Sequence, residues 1–436
     1  MASSDRFDLS GDWGQVFSGA ALHHGTAMQS MAVDPVTGDI YIAQLQSGVE
    51  GPTGSRALGN FCINRVDPWT GVRSEWMHLN GFGHGYQIGA QHINGRTHVW
   101  TEAGPIVDEY GTHVTRVPFS PKRTIEMTTT EKEFSTPFRP TLAEYPGALA
   151  YSCAPTVDPI HHRVTIRFKL KRPVAGGGTE DLGWFYGQYP IDPVSGNAGS
   201  NLIRWAQVPP KEDPRVAHMY GVGYQGFASN GDHLYIYTGD MRPEDNVHIT
   251  VGTWPPENKG RLVDIVKQHI TAVPTLERRE PEGLAVAKVG TEAQLLFGFS
   301  GNNENPRAAT LCSYSTATSQ GGVRVYADWA NLALNGVTAQ GGVPPQGRLV
   351  EVADGLLLQL RGSFTCGLTS DTLVAKLPPQ LVPRATVRAS VPRNMYYGHG
   401  VCQAVVTPAG ELQIHGPTET NKVTWVDLDS FSAAWR

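Results

Sequence analysis

Cysteine is scarce and unpatterned: five residues in 436, at Cys62, Cys153, Cys312, Cys366 and Cys402, with no Cys-x-x-Cys. Singles scattered over a long chain exclude a disulfide framework and read as free, buried thiols of a protein folded in a reducing compartment. Charge is also sparse. Charged residues make up 17% and the net charge is −5, so no overall field favours nucleic acid as a partner. No apolar run approaches the roughly 20 residues that span a bilayer, so membrane insertion is not expected. The opening "MASSDRFDLSGDWGQ" has neither a basic n-region nor an apolar core, so no Sec signal peptide is expected. His-x-His and His-Glu-x-x-His patterns are missing too, and no metal ligands, cofactor or catalytic residues are assigned. Helical periodicity is confined to "GRLVDIVKQHITAV", which reads equally well as strand.

What is abundant is glycine, 49 residues, and proline, 31, the punctuation of short strands and tight turns. A repeat emerges between those turns. "MQSMAVDPVTGDIYIAQ" from Met28 sets a small-residue strand against an aromatic-rich one across a "DPVTGD" turn. The outline returns near Gln87, Pro146, Gln225 and Glu282, at intervals of about 60 residues except for a longer third one. That interval holds a polar insertion, "KRPVAGGGTEDLG" and "YPIDPVSGNAGSN". The second strands, such as "IYIAQ", "HVWTE" and "LYIYTG", carry the β-branched and aromatic residues that suit a pleated, buried surface. Four short strands per unit make a propeller blade, and five units predict a five-bladed β-propeller over residues 8–330. "LNGVTAQGGVPPQGR" then reads as a linker, residues 331–349. Residues 350–436 alternate again between turns, which predicts a small β-sandwich-like C-terminal domain in an all-β chain.

Certain phrases carry a family resemblance. "MQSMAVDPVTGDIYIAQ", "INRVDPWTG", "MHLNGFGHGYQIG" and "HVWTEAGP" with "YGTHVTRVPF" resemble the helveticin J family. They equally resemble the teichoic-acid biosynthesis protein C propellers and the propeller platform of phage receptor-binding proteins. The C-terminal "LRGSFT", "LPPQLVPRATVRASVPR", "VTPAGELQIHGP" and "WVDLDSFSAAW" are similar to the terminal domain of minor tail proteins from phages of actinobacteria. Together the resemblances imply a tail tip, fibre or baseplate protein of a virion, made in the host cytoplasm. They imply as partners a bacterial surface glycan such as teichoic acid, other tail or baseplate proteins, and further copies of itself in a homotrimer. Two other activities stay open at this point: a wall-glycan depolymerase and a helveticin-like bacteriocin.

Candidate ligand-binding residues follow from propeller geometry. Gln29, Gln87, Gln225 and Glu282 begin the innermost strand of four units, where their side chains would ring one end of the axis. They would there bind a ligand or satisfy backbone groups between blades. Trp184, Phe185 and Tyr186 flank the polar insertion and are expected to be exposed; Trp184 and Tyr186 offer aromatic faces to a sugar. Trp205 and Tyr189 are further aromatics of that region. Arg139, Arg172, Arg242 and Arg307 are candidates for a phosphate-bearing polymer, Arg242 foremost. Glu102, Asp240 and Glu282 are the carboxylates a glycosidase would need. His84, in "GFGHG", reads as the anchor of a sharp turn that donates to a carbonyl of a neighbouring blade.

Overall fold

Two five-residue phrases show how the sequence makes its turns. In Asp34–Gly38 and Asp67–Gly71 the Asp side chain accepts two backbone N–H groups, from Val36 and Thr37 and from Trp69 and Thr70, at 2.8 and 3.0 Å in each case. Proline presets the second residue, and Gly38 and Gly71 close the turns at φ of 74° and 66°. Asp158 repeats the arrangement with Ile160 and His161. Each turn reverses a strand pair, and stacking such pairs builds the fold.

The computed structural model of the chain describes residues 6–11, 13–49, 51, 53–107, 109–127, 137–192, 195–199, 201–241, 246–289, 292–301, 306–315, 324–352, 355–396 and 398–435. It divides into two compact units: Met1–Lys288 with Ala293–Thr316, and Val289–Glu292 with Ala317–Arg436. No helix among the described residues is long and apolar enough to cross a membrane.

The first unit is a five-bladed propeller. Strand β1 (Gly14–Ala21) is set aside for the last blade. Blade one is β2 (Met28–Val33), β3 (Ile40–Leu45), β4 (Phe61–Val66) and β5 (Arg73–Asn80) from axis to rim. Blade two is β6 (Gly89–Ile93), β7 (Arg96–Val107) and β8 (Tyr110–Pro118), while β9 (Thr124–Glu126) runs parallel to β5 on the edge of blade one. Blade three is β10 (Leu149–Asp158), β11 (Arg163–Pro173), β12 (Thr179–Pro190) and β13 (Arg204–Gln207). Blade four is β14 (Tyr224–Asn230), β15 (His233–Thr238), β16 (His248–Thr253) and β17 (Val263–His269). Blade five is β18 (Glu280–Val289), β19 (Glu292–Gly301) and β20 (Ala308–Ser315), completed on its rim by β1.

Every repeat start read from the sequence thus falls at or within a few residues of an innermost strand. The segment that read as helix or strand contains β17, a strand. Ring closure was not foreseen: Gly14 pairs with Ser313 and Ala21 with Ala308, so the first and last strands of the propeller share one blade. The blades are held by apolar layers between neighbours. Tyr41, Phe61 and Met77 of blade one meet Val99 and Val117 of blade two. Trp100 of blade two meets Ile166 and Phe168 of blade three. Tyr235 and Tyr237 of blade four meet Phe297 and Phe299 of blade five, with Phe7 added from the N-terminus.

The second unit contains two antiparallel sheets, as expected of a small sandwich-like domain. Arg324–Asn331, Gln346–Val352, Gly355–Arg361 and Ser432–Ala434 form one; eight short strands form the other. Residues 331–349, the expected linker, contribute the paired strands Ala333–Leu334 and Thr338–Ala339 and the start of Gln346–Val352. Alternation sorts the side chains: in Glu411–His415 only Leu412 and Ile414 are buried.

Candidate functional site

The loop from Gly81 to Gln87 carries the chain from the rim of blade one to the axis of blade two. Gly81, Gly83 and Gly85 all have positive φ, 75°, 144° and 74°. Gly83 has a second reason to lack a side chain, since a Cβ there would lie 2.1 Å from the Glu102 carboxyl carbon. That carboxyl is the object around which the loop folds. Gly85 N–H donates to Oε1 at 2.6 Å and Gly111 N–H to Oε2 at 2.8 Å. Complete burial pushes Glu102 up to about 8, against backbone amides that pull it down. Glu102 is therefore a staple between "GFGHG" and "WTE", two phrases whose connection the sequence does not reveal.

His84 is buried in the same loop. Its Nε2–H donates to the side-chain oxygen of Gln29 on β2 at 2.7 Å, and its Nδ1 lies 3.5 Å from Glu109, which Arg56 holds at 3.1 Å. Burial, aided by Arg56, presses its pKa to about 3, so the ring is neutral. The expected role as a turn anchor that reaches blade one is what the geometry shows.

Of the four axial residues, Gln87 and Glu282 are buried and Gln29 and Gln225 half-buried. Gln87 is fully buried; its Oε1 accepts Phe227 N–H of blade four at 3.0 Å and its Nε2 donates to Leu284 O of blade five at 3.2 Å. Gln225 donates to Gly239 O in its own blade at 2.9 Å. Glu282 is buried and raised well above the usual carboxylate range by desolvation, then by Glu280. Further along the axis, Ala32, Gly89, Val157 and Ala285 close around a void of about 10 Å³, room for a single water at most.

Trp184 and Tyr186 are committed internally as well. Arg167 is buried between the faces of Trp184 and Tyr224, its guanidinium carbon 3.4 and 3.6 Å from the ring centres. Tyr186 is 1% exposed and Phe185 fully buried, so the expected exposure fails for both: β12 pairs along its length with β11 and lies inside blade three. Arg242 lies outside the described residues. Of the other arginines, Arg172 pairs with Glu180 at 2.6 Å and Arg307 with Glu280 at 2.5 Å. Of the three glycosidase carboxylates, Glu102 and Glu282 are buried as described, and Asp240 accepts from Asn246 at 3.0 Å.

An open site lies elsewhere, between blade three and the β16–β17 connection of blade four. It is a cleft of about 700 Å³ whose walls include Phe138, Arg139, Glu144, Tyr189, Trp205 and Lys259. Phe138 stands edge-on to Tyr189 with ring centres 5.5 Å apart. Arg139 Nε donates to Ala150 O at 2.8 Å, which fixes the guanidinium beside the Tyr151 ring. Lys259 and Glu144 face each other at 3.9 Å, both partly in solvent. Aromatic faces beside charges of both signs suit a hydroxyl-rich ligand. Sequence reasoning had named Trp205, Tyr189 and Arg139 but missed Glu144 and Lys259. The available signal was the long third interval: Ala198 and Gly199 of that insertion line the cleft.

Among the described residues, one group of side chains could hold a metal ion: His23, His24 and His78. Adjacent side chains diverge on a strand, but residues 23–26 form a bend in which that alternation does not apply, and the His23 and His24 rings lie 4.7 Å apart. Burial and the neighbouring imidazoles lower His24 to about 4, and burial also lowers His23 and His78.

Residues 27–143 match the family model of the phage 5-bladed beta propeller receptor binding platform domain. Among solved structures, the tail fiber of a Staphylococcus aureus phage aligns over 82% of this chain and 75% of its own, at 14% identity and a TM-score of 0.48. An exo-beta-1,3-galactanase from Phanerochaete chrysosporium aligns over 96% and 98% at 10% identity, with a TM-score of 0.35. An alpha-L-arabinofuranosidase from Lactobacillus brevis aligns over 67% and 90% at 11% identity, with a TM-score of 0.36. No curated protein sequence matches. The matched stretch contains "GFGHG", "WTE" and both Asp-Pro-x-Thr-Gly turns, the phrases on which the resemblance rests, and it is this part of the chain that is similar to a phage receptor-binding propeller.

Proposed function

We propose that the protein is a virion tail protein that adheres to bacterial cell-wall polysaccharide through the blade-three cleft. The observation that carries this reading is the cleft itself, open and about 700 Å³, within a propeller that matches a receptor-binding family. Aromatic faces would stack on sugar rings while Arg139, Glu144 and Lys259 address hydroxyl or phosphate groups. The mechanism is recognition, and weak contacts gain strength when several copies bind one wall. The second unit supplies a surface for such self-association: Met395, Tyr396 and Val401 on one hairpin are 75%, 42% and 60% exposed. We take it to be a trimerisation unit.

The deciding experiment measures binding of the labelled protein to host walls before and after chemical removal of the wall polymer. Binding should vanish with the polymer, and the polymer recovered after incubation should keep its length. Binding that survives stripping overturns the polysaccharide reading; shortened polymer replaces adhesion with depolymerisation. Light scattering of the full chain and of a chain ending at Thr316 tests the trimer, which an unchanged oligomeric mass after truncation would refute.

A further inference from the structure

Blade one carries a cluster that neither the axis nor the cleft uses. His23 and His24 lie in the turn between β1 and β2, directly after the strand that closes the ring, and His78 lies on β5 at the rim of the blade. The turn is held down independently of the imidazoles. His23 N–H donates to Asn64 Oδ1 at 2.8 Å, His24 N–H to Gln44 Oε1 at 2.9 Å, and Gln44 Nε2 returns to His24 O at 3.0 Å. Those bonds bring the rings together. His24 Nε2 is 3.0 Å from His78 Nε2, and His23 stacks on Trp76 with ring centres 4.0 Å apart. One ring nitrogen from each of the three histidines lies within 4.8 Å of the other two.

Two Nε2 atoms at that distance share at most one proton, so at least one lone pair points at the neighbouring ring. A tetrahedral cation with metal–nitrogen bonds of about 2.0–2.1 Å sets its ligand atoms about 3.3 Å apart. His24 Nε2 and His78 Nε2 already lie near that spacing, and the nitrogen of His23 lies within 4.8 Å of both. His24 Nδ1 accepts from Ser47 N–H at 3.3 Å and lies 3.0 Å from Ser47 Oγ, so a cation taken by Nε2 would shift the ring proton to Nδ1, where Ser47 Oγ can accept it. The set contains no carboxylate, which disfavours hard cations such as magnesium and calcium and suits imidazole-seeking ones.

We propose that His23, His24 and His78 form a three-imidazole site for a divalent transition cation of the zinc class, which clasps the turn behind the ring-closing strand to the rim of blade one. Three protein nitrogens leave water as the fourth ligand. The cation adds a cross-link beside the strand that closes the ring.

The test uses the full chain, free of any affinity tag and stripped with a chelator. Calorimetric titration with zinc chloride should give one ion per chain with a dissociation constant of about 10 µM or tighter, and magnesium chloride no binding. Zinc should raise the melting temperature of the unaltered protein. His24→Gln and His78→Asn should each weaken binding at least about tenfold, and the double variant should show no thermal response to zinc. Should one variant fail to fold, His23→Asn takes its place. No stoichiometric binding at about 1 mM zinc, or zinc binding that persists in the double variant, would overturn the site.

Discussion

The axis of the propeller and the cleft beside blade three draw on the same kinds of residue and use them differently. Around the axis, polar groups are spent on other parts of the protein: Glu102 on the amides of Gly85 and Gly111, Gln87 on the backbones of blades four and five, Arg167 on two aromatic faces. In the cleft, Lys259 and Glu144 are 56% and 38% exposed and only 3.9 Å contacts hold them. The axis is where the fold's recognisable phrases lie, and they lie there because they build the ring. A ligand site needs groups left over from folding, and these occur on loops that are not part of the repeat.

Substitutions at the axis should therefore cost stability without changing recognition, and substitutions in the cleft should do the reverse. The largest expected effect is that of Gly83→Ala. The new methyl would overlap the Glu102 carboxyl at a backbone angle that alanine resists, and neither the loop nor the buried carboxylate has room to yield. A loss of about 3 kcal/mol in chemical denaturation is expected, with wall binding per folded molecule unchanged. Stability within 0.5 kcal/mol of the parent, on the order of an ordinary surface change, would break the account of "GFGHG" as a staple.

Next comes a pH effect at the same staple. Glu102 has a folded pKa of about 8 against an ordinary 4.5, so between those values the folded protein holds a proton that the unfolded chain has released. Its contribution to stability is complete below about pH 4.5 and falls as the pH rises to about 8, by at most about 1.4 kcal/mol per unit. Glu102→Gln removes this slope. The variant also sets an amide N–H₂ against the Gly111 N–H, so it is less stable at low pH and approaches the parent as pH rises. A stability difference that does not change between about pH 5 and about pH 8 would count against a buried, proton-holding Glu102.

How much of this was legible in advance depends on how local each feature is. Four of the five innermost strands were visible because an Asp-Pro or Asn-Gly turn and a β-branched or aromatic strand follow each other within a few residues, and the fifth shares the outline across "KVGTEA". The closing of blade five was not, because Gly14 and Ser313 meet only after the whole ring has formed. Glu102 was read as one of three acids near strand ends; what it touches depends on a loop some 20 residues earlier and on no periodic pattern. His23 and His24 escape a sequence reading for a related reason. Adjacent side chains diverge on a strand, whereas the bonds that their N–H groups donate to Asn64 and Gln44 make that segment a bend. The cleft draws Phe138 and Glu144, Tyr189 and Lys259 from three loops or strand ends of different blades, and only the long third interval hinted at it.

Within the cleft, Phe138→Ala removes an aromatic face and should weaken polymer binding about tenfold, or ~1.4 kcal/mol. Because Phe138 is only half-buried, folding stability should fall by much less than with Gly83→Ala.

The smallest effect is also the most informative about the ligand. Lys259 lies at the cleft's edge, and its contact with Glu144 is long and exposed, so Lys259→Ala should barely change stability. If the wall polymer is anionic, as teichoic acid is, the variant loses an attractive charge and binds about threefold more weakly, with a shallower dependence on salt. Glu144→Gln then does the opposite and strengthens binding. If the polymer is neutral, both variants bind as the parent does, since neither charge has a long-range partner to lose. Equal affinity of the two variants at low salt would thus leave the cleft as a sugar site while removing phosphate from the proposal; weaker binding by both would mean that the Lys259–Glu144 pair shapes the cleft, and that its charges do not select the ligand.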